Sequence, residues 1–320
     1  MKRNVLFAVA FFATLAASAQ NIAAVSPSNV TTMYQTLDEA VSEAVSGSVI
    51  YLPGGGFQIS DGTKITKKLT IMGVSHRGDA DNADGATVIA GNINFINGSS
   101  GSSVIGVYVS GNVNIGDTDN KVDNITVRFC NVNSIQVKNG NCSGIIINQS
   151  YLRSASSFGN TNVRFENNVS YLIQHISGGD LNHNIMYYGT SYAFYDVSNS
   201  SITSNICIGS GGYVSGSRNM VLNNGAPTAS GEGDLVLGAG KTWDDVFEKN
   251  NGFSIYSDYR LKSSWGRNAG ADGTDLGIHG GSGFNEEKSL APIPRIISKI
   301  IDEHTDKSGK LHIEVTVKAD

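Results

Sequence analysis

Few side chains in this 320-residue chain are of a type and spacing to do chemistry, and they fall in three groups. The first is a set of bases in the middle of the chain: Lys138, Arg153, Arg164, His175 and His183. A base of this kind, held within hydrogen-bond reach, can take a proton from a bound molecule. Arg153, His175 and His183 fall on neighbouring repeats of a periodic stretch and could converge on one groove, so these three are the catalytic candidates. The acids of the same region are sparse, chiefly Glu166, Asp180 and Asp196, which disfavours the facing carboxylate pair that glycoside hydrolysis needs. The second group lies in Asp79-Ala-Asp-Asn-Ala-Asp-Gly85, where Asp79, Asp81 and Asp84 share one loop. Clustered carboxylates and carbonyls suit Ca²⁺. The spacing departs by one residue from the helix-loop-helix calcium pattern and lacks its closing Glu, so a solvated acidic turn is the competing reading. The third group is aromatic: Tyr187, Tyr188, Tyr192, Phe194 and Tyr195. Flat rings beside amides and carboxylates offer a sugar its apolar C–H contact and its hydroxyl partners. Tyr187, Tyr188, Tyr192 and Tyr195 are the ligand-binding candidates, although some of the group must be core, because residues 192–197 read as a strand.

These residues need a scaffold, and residues 124–226 supply one by repetition. One phrase returns as Asn124-Ile-Thr-Val-Arg-Phe-Cys-Asn131, Gly144-Ile-Ile-Ile-Asn148, Asn162-Val-Arg-Phe-Glu-Asn167, Asp180-Leu-Asn-His-Asn184, Ser201-Ile-Thr-Ser-Asn205 and Asn219-Met-Val-Leu-Asn-Asn224. The closing asparagines are 17, 19, 17, 21 and 19 residues apart. A period near 19 with one short β-type run per repeat predicts a solenoid. Alternation inside each run turns Ile125, Val127 and Phe129 to one side and Thr126 and Arg128 to the other. Coils joined in parallel this way should be right-handed. The 23 asparagines between Asn92 and Asn224 predict a ladder, in which stacked amides bond their neighbours and Asn takes the left-handed geometry of a corner.

Ahead of the repeats, Leu37, Ala40, Val41, Ala44 and Val45 fall at helical spacing behind a Thr36–Glu39 capping box. A short helix there would cover the apolar end of a solenoid. Beyond them, residues 291–320 read as a β-hairpin extension: arms at 296–304 and 311–318, a turn at Lys307-Ser-Gly309, and an apolar face that should pack back on the solenoid. Residues 1–19 read as a secretory signal peptide, with Lys2 and Arg3 before an apolar run and Ala17-Ser-Ala19 as the cleavage site. The expected domains are therefore 1–19 signal peptide, 20–290 β-helix with its N-terminal cap, and 291–320 hairpin.

The bulk composition narrows function further. A net charge of −5 with no basic face argues against nucleic-acid partners. No later stretch is long and apolar enough for a membrane-spanning segment. Three cysteines, Cys130, Cys142 and Cys207, make no disulfide framework; Cys130 and Cys207 read as small core residues, and a Cys130–Cys142 bridge stays open. Gly-x-Ser-x-Gly, His-Glu-x-x-His and Cys-x-x-Cys are all absent from the sequence.

Tyr34-Gln-Thr-Leu-Asp-Glu-Ala40, Gly47-Ser-Val-Ile-Tyr-Leu-Pro-Gly54 and Leu69-Thr-Ile-Met-Gly73 resemble the opening of right-handed parallel β-helix proteins of the pectin-lyase-like superfamily. Asp258-Tyr-Arg-Leu-Lys262 and Asn268-Ala-Gly-Ala-Asp-Gly-Thr-Asp-Leu-Gly-Ile-His-Gly-Gly281 resemble the closing segment of secreted bacterial members. The resemblance implies an all-β, right-handed parallel β-helix. It leaves activity open, since such folds carry lyases, hydrolases, esterases and adhesins. It also implies that a catalytic member would abstract a proton beside a uronate carboxylate, with Ca²⁺ or a cationic side chain neutralising the acid. The expectation is thus an exported, monomeric, carbohydrate-associated protein that binds polysaccharide on a lateral face. A polysaccharide lyase and a structural or adhesive surface protein are the alternatives.

Overall fold

The computed structural model describes residues 21–78, 85–157, 162–189, 191–262, 264–284, 295–302, 304–305 and 308–318. The signal-peptide stretch and Asp79, Asp81 and Asp84 lie outside the described residues.

The chain is a nearly all-β parallel solenoid of about eight turns. Each turn lays strands on three faces, and on each face the apolar residue of one rung stacks on that of the next. On the first face the inward file runs Ile50, Ile71, Val104, Val127, Ile147, Phe165, Leu181 and Ile202. Each of these is at most 1% exposed. Val109, Val132 and Leu152 form the corresponding file on the second face, and Val113, Ile135, Ala155, Ile173 and Phe194 on the third. A buried aliphatic side chain contributes about 1.5–3 kcal/mol, so three files make a core without a globular interior. In the middle rungs one strand serves two faces by bending. Within Val169–Gln174, Val169 and Ser170 pair with Ile185 and Met186, whereas Ile173 and Gln174 pair with Phe194 and Tyr195.

The corner between the first and second faces explains the asparagines. Phe129, Gln149, Asn167, His183, Ser204 and Asn223 all have positive φ there, from 49° to 60°. The residue after each one turns inward to form the ladder. Ser150 N–H donates to Asn168 Oδ1 at 3.0 Å, and Asn168, Asn184 and Asn205 each donate their N–H to the next Asn Oδ1 at 2.9 Å. The file ends where Asn224 N–H donates to Asp234 Oδ1 at 2.9 Å. Of the six asparagines singled out in the sequence, Asn184, Asn205 and Asn224 stand in it. Asn167 is displaced by its neighbour Asn168 and occupies the positive-φ position. Asn148 ends strand Ile145–Asn148, one position before a corner pair, and Asn131 begins Asn131–Val137, one position after one.

Helix α1, Leu37–Glu43, buries Leu37, Ala40 and Val41 and carries the expected Thr36–Glu39 capping box. Strand Ile22–Val25 pairs antiparallel with Val49–Leu52 and, on its other side, with Thr31–Tyr34, which is the outermost strand of the first face. The three cysteines are free and buried. No helix among the described residues is long and apolar enough to cross a membrane.

Two features lie outside the solenoid. Residues 243–284 cover the outer side of the second face, where Tyr151, Val169, Ile185 and Ile206 pack against Phe247, Tyr259, Leu261, Leu276 and Phe284 in a second apolar cluster. The C-terminal strands Arg295–Ile301 and Ile313–Lys318 pair with each other as a separate two-stranded sheet. The expected packing of this hairpin against the solenoid is not what the structure shows: Ile300, Ile301, Leu311, Ile313 and Val315 are 45–56% exposed. Its two strands bond only to each other.

Candidate functional site

The three candidate bases are placed at three different edges of the solenoid and do not face one bond. His183 sits at the ladder corner, buried, with Nε2 at 3.2 Å from Asp272 Oδ2 in the C-terminal cover. A Cβ on Gly280 would come within 2.5 Å of its ring, so the cover is shaped around the imidazole. The residues flanking it are clasped in the same way: Asn167 Nδ2 donates to Ile278 O and Gly280 O, and Ala271 N–H donates to Ser204 Oγ, all at 2.9 Å. His183 thus helps to lock the cover down. Arg153 is exposed on strand Tyr151–Ser157, at the bend between the second and third faces. There it lines a groove of about 410 Å³ with Tyr108, Asn131, Asn133 and Tyr256, and the Arg77 guanidinium lies 5.8 Å from the Tyr256 ring. His175 stands at the third corner, where Nδ1 is 2.9 Å from Asp196 Oδ2.

The aromatic group also divides. Tyr187 is under the cover, packed edge-on against Phe253, with its hydroxyl donating to Asn250 Oδ1 at 2.8 Å; burial pushes its phenol well above the ordinary range. Tyr188 belongs to the solenoid core and donates to Gly211 O at 3.0 Å; burial likewise raises it. Both are packing residues rather than a platform, because residues 185–188 face core on one side and cover on the other. Tyr192 and Tyr195 are different: they are 39% and 43% exposed and stack on each other at 6.3 Å with an interplanar angle of 29°. The His175 ring meets Tyr195 edge-on at 5.9 Å.

Tyr195 belongs to a file that the sequence did not reveal. On the outer side of the third face, Asn94, Asn114, Gln136, Ser156, Gln174 and Tyr195 stand one above another over six rungs. Asn114 Nδ2 donates to Asn94 Oδ1 at 2.8 Å. A second file beside it holds Asn112, Ser134, Ser154 and Leu172, and Ser134 and Ser154 share a hydrogen bond of 3.0 Å. Neither file contains a charged side chain. The signal was present as polar residues alternating with Val113, Ile135 and Ala155, but finding it needs the register between rungs. Asn133 Nδ2 donates to Asn112 Oδ1 at 3.1 Å, which joins this face to the Arg153 groove.

What the surface can do is bind. Asn114, Ser134 and Ser156 are buried, so the amides this file offers a ligand are those of the partly exposed Asn94, Gln136 and Gln174; amides donate and accept, as sugar hydroxyls do, and the exposed ring pair beside Gln174 offers apolar contact. Among the described residues no cluster of three or more His, Cys, Asp or Glu could hold a metal ion. Comparison of the chain with protein-family models, with curated proteins and with solved structures gives no match.

Proposed function

We propose that this is an exported carbohydrate-binding β-solenoid protein that holds polysaccharide on its third face. The observation that carries the reading is the exposed Tyr192–Tyr195 stack, which stands beside the partly exposed amide of Gln174 on the outer side of the third face. Export is supported by the order of charge, apolar run and small residues in positions 1–19. The test is a glycan array probed with the mature protein and with Tyr192→Ala and Tyr195→Ala variants. Binding that survives both substitutions sinks this location, and an array with no signal sinks the reading itself.

A second reading, a polysaccharide lyase, is favoured by one observation. His175 is held by Asp196 at 2.9 Å beside the same ring pair, an arrangement that orients a general base. Such an activity would release unsaturated, ultraviolet-absorbing ends from uronate polymers and would be lost in His175→Ala.

A further inference from the structure

The C-terminal hairpin is a sheet of only two strands, Arg295–Ile301 and Ile313–Lys318. A lone two-stranded ribbon is marginally stable in water at best, and further strands are what make such a sheet persist. We infer that a second copy of this chain supplies them. Strand Ile313–Lys318 pairs antiparallel with its own counterpart about a two-fold axis at Thr316, and two hairpins become one four-stranded sheet. This pairing is independent of what the third face binds.

Only one edge of the ribbon is regular. Strand Arg295–Ile301 carries the extra residue of a bulge between Ile296 and Ser298, a device that turns an edge away from partners. The edge of Ile313–Lys318 has no such protection. Its outward groups can be placed from one bond: Asp302 N–H donates to His312 O at 3.1 Å. In an antiparallel ladder, the even-numbered residues of this strand therefore turn their backbone groups to the hairpin's other strand, while Ile313, Val315 and Val317 turn theirs to the free edge. A two-fold at Thr316 sets Val315 of each copy opposite Val317 of the other. Each such pair exchanges both of its N–H to C=O bonds.

Charge selects this register from its neighbours. Centred on Thr316, the pairing sets Glu314 of each copy opposite Lys318 of the other. Centred on Glu314 it sets two carboxylates face to face, and centred on Val315 it sets His312 opposite Lys318. Opposite charges at facing positions stabilise a sheet and like charges destabilise it. Centred on Ile313, the pairing runs off the start of the strand. The apolar side gains as well: Val315, 47% exposed, has a strand on one side only, and the second copy covers the other. A contact of this kind is self-complementary and closes after two molecules, so it consumes the edge without growing a fibre.

The experiment is sedimentation of the mature protein over a range of concentrations, with disulfide trapping in single-cysteine additions. The expected species is a dimer that dissociates on dilution. Glu314→Lys sets like charges opposite at both symmetric positions and should weaken it more than about tenfold, and Glu314→Lys/Lys318→Glu should restore it. Under mild oxidation Thr316→Cys should cross-link, because residues facing each other in a pair without backbone bonds lie about 4.5 Å apart. Ile313→Cys should not, its two copies standing about 20 Å apart along the strands. The native cysteines are free but buried and leave the readout clean. Thr316, Glu314 and Ile313 are exposed, so circular dichroism and urea unfolding of the solenoid should be unchanged. A single-chain mass up to millimolar concentration, with no trapping at Thr316→Cys, overturns the inference and leaves the edge to a strand from a different protein. Cross-linking of Ile313→Cys as fast as Thr316→Cys, or a charge swap that fails to restore the dimer, overturns the register. Assemblies that keep growing beyond two chains overturn the two-fold.

Discussion

Asn205 is fully buried, and its side chain makes four hydrogen bonds. Oδ1 accepts from Asn184 N–H and from Asn184 Nδ2, both at 2.9 Å, and Nδ2 donates to Leu181 O and Asn224 Oδ1, also at 2.9 Å. In Asn205→Ala the Asn184 backbone N–H is left facing a methyl group inside the corner. A buried donor without an acceptor costs about 1–3 kcal/mol, and each of the other lost bonds about 0.5–1.5 kcal/mol. Neighbouring bonds are not additive, so the expected loss is about 3–5 kcal/mol, a large part of the stability of an ordinary domain. Asn133→Ala is the control: its amide bonds Asn112 Oδ1 at 3.1 Å on the exposed surface, and its removal should cost under about 1 kcal/mol. Urea unfolding followed by circular dichroism reads both. In addition, an Asn184→Ala/Asn205→Ala double-mutant cycle should show coupling, since the two residues share two of the bonds. Equal losses for the buried and exposed asparagines, or additive effects in the cycle, would refute the claim that the ladder holds the corner.

Three further outcomes follow from burial and close packing. His76 is enclosed, its Nδ1 donating to Phe129 O at 2.8 Å, and burial lowers its pKa from 6.5 to about 4. The folded value lies below the unfolded one, so the contribution is complete above pH 6.5 and disappears as pH falls through about 4. About 3 kcal/mol should be lost over that window, and His76→Gln should flatten the pH dependence of urea unfolding. Burial pushes the Cys130 thiol up to about 12, and Cys142 and Cys207 are raised for the same reason. A thiol reagent at about pH 8 should label none of the three in the native protein and all three in denaturant; native labelling would contradict the packing. Gly216 has φ +124°, and a Cβ there would lie 1.8 Å from Val197 O. Gly216→Ala should therefore cost more than about 3 kcal/mol, and a wild-type melting curve would show that the rung spacing is looser than described.

The repeat was legible because apolar alternation and corner asparagines recur together, and the helix cap was legible because Thr36 and Glu39 are local partners. The ladder's exact members were not. Its corner takes two consecutive residues, one with positive φ and one turned inward, and Asn suits both. Doublets such as Asn167-Asn168 and Asn223-Asn224 therefore look alike from the sequence, and Ser150 fills a ladder position with a hydroxyl. The cover over Tyr187 was hidden for another reason. Nothing local connects Phe247 or Tyr259 to a strand sixty residues earlier. Even so, Ile185-Met186-Tyr187-Tyr188 and Ile206-Cys207-Ile208 are unbroken apolar runs, which is how a strand buried on both sides reads. Taken seriously, that would have removed Tyr187 and Tyr188 from the sugar-binding group. The three bases were dispersed because adjacency in repeat number says nothing about which edge a residue occupies.

The file of amides has a sense of direction. Each asparagine passes its backbone N–H to the next rung and offers its side-chain oxygen to the one before, while one amide proton turns back to a carbonyl, and the donating end of the row meets Asp234. A carboxylate accepts and has no proton to hand on; its other oxygen already takes the N–H groups of Ser230 and Gly231. Whole rungs could be spliced in upstream of Asp234 and would find the file ready to relay them. Downstream no relay exists, and one acidic side chain fixes how long the stacked part of the molecule can grow.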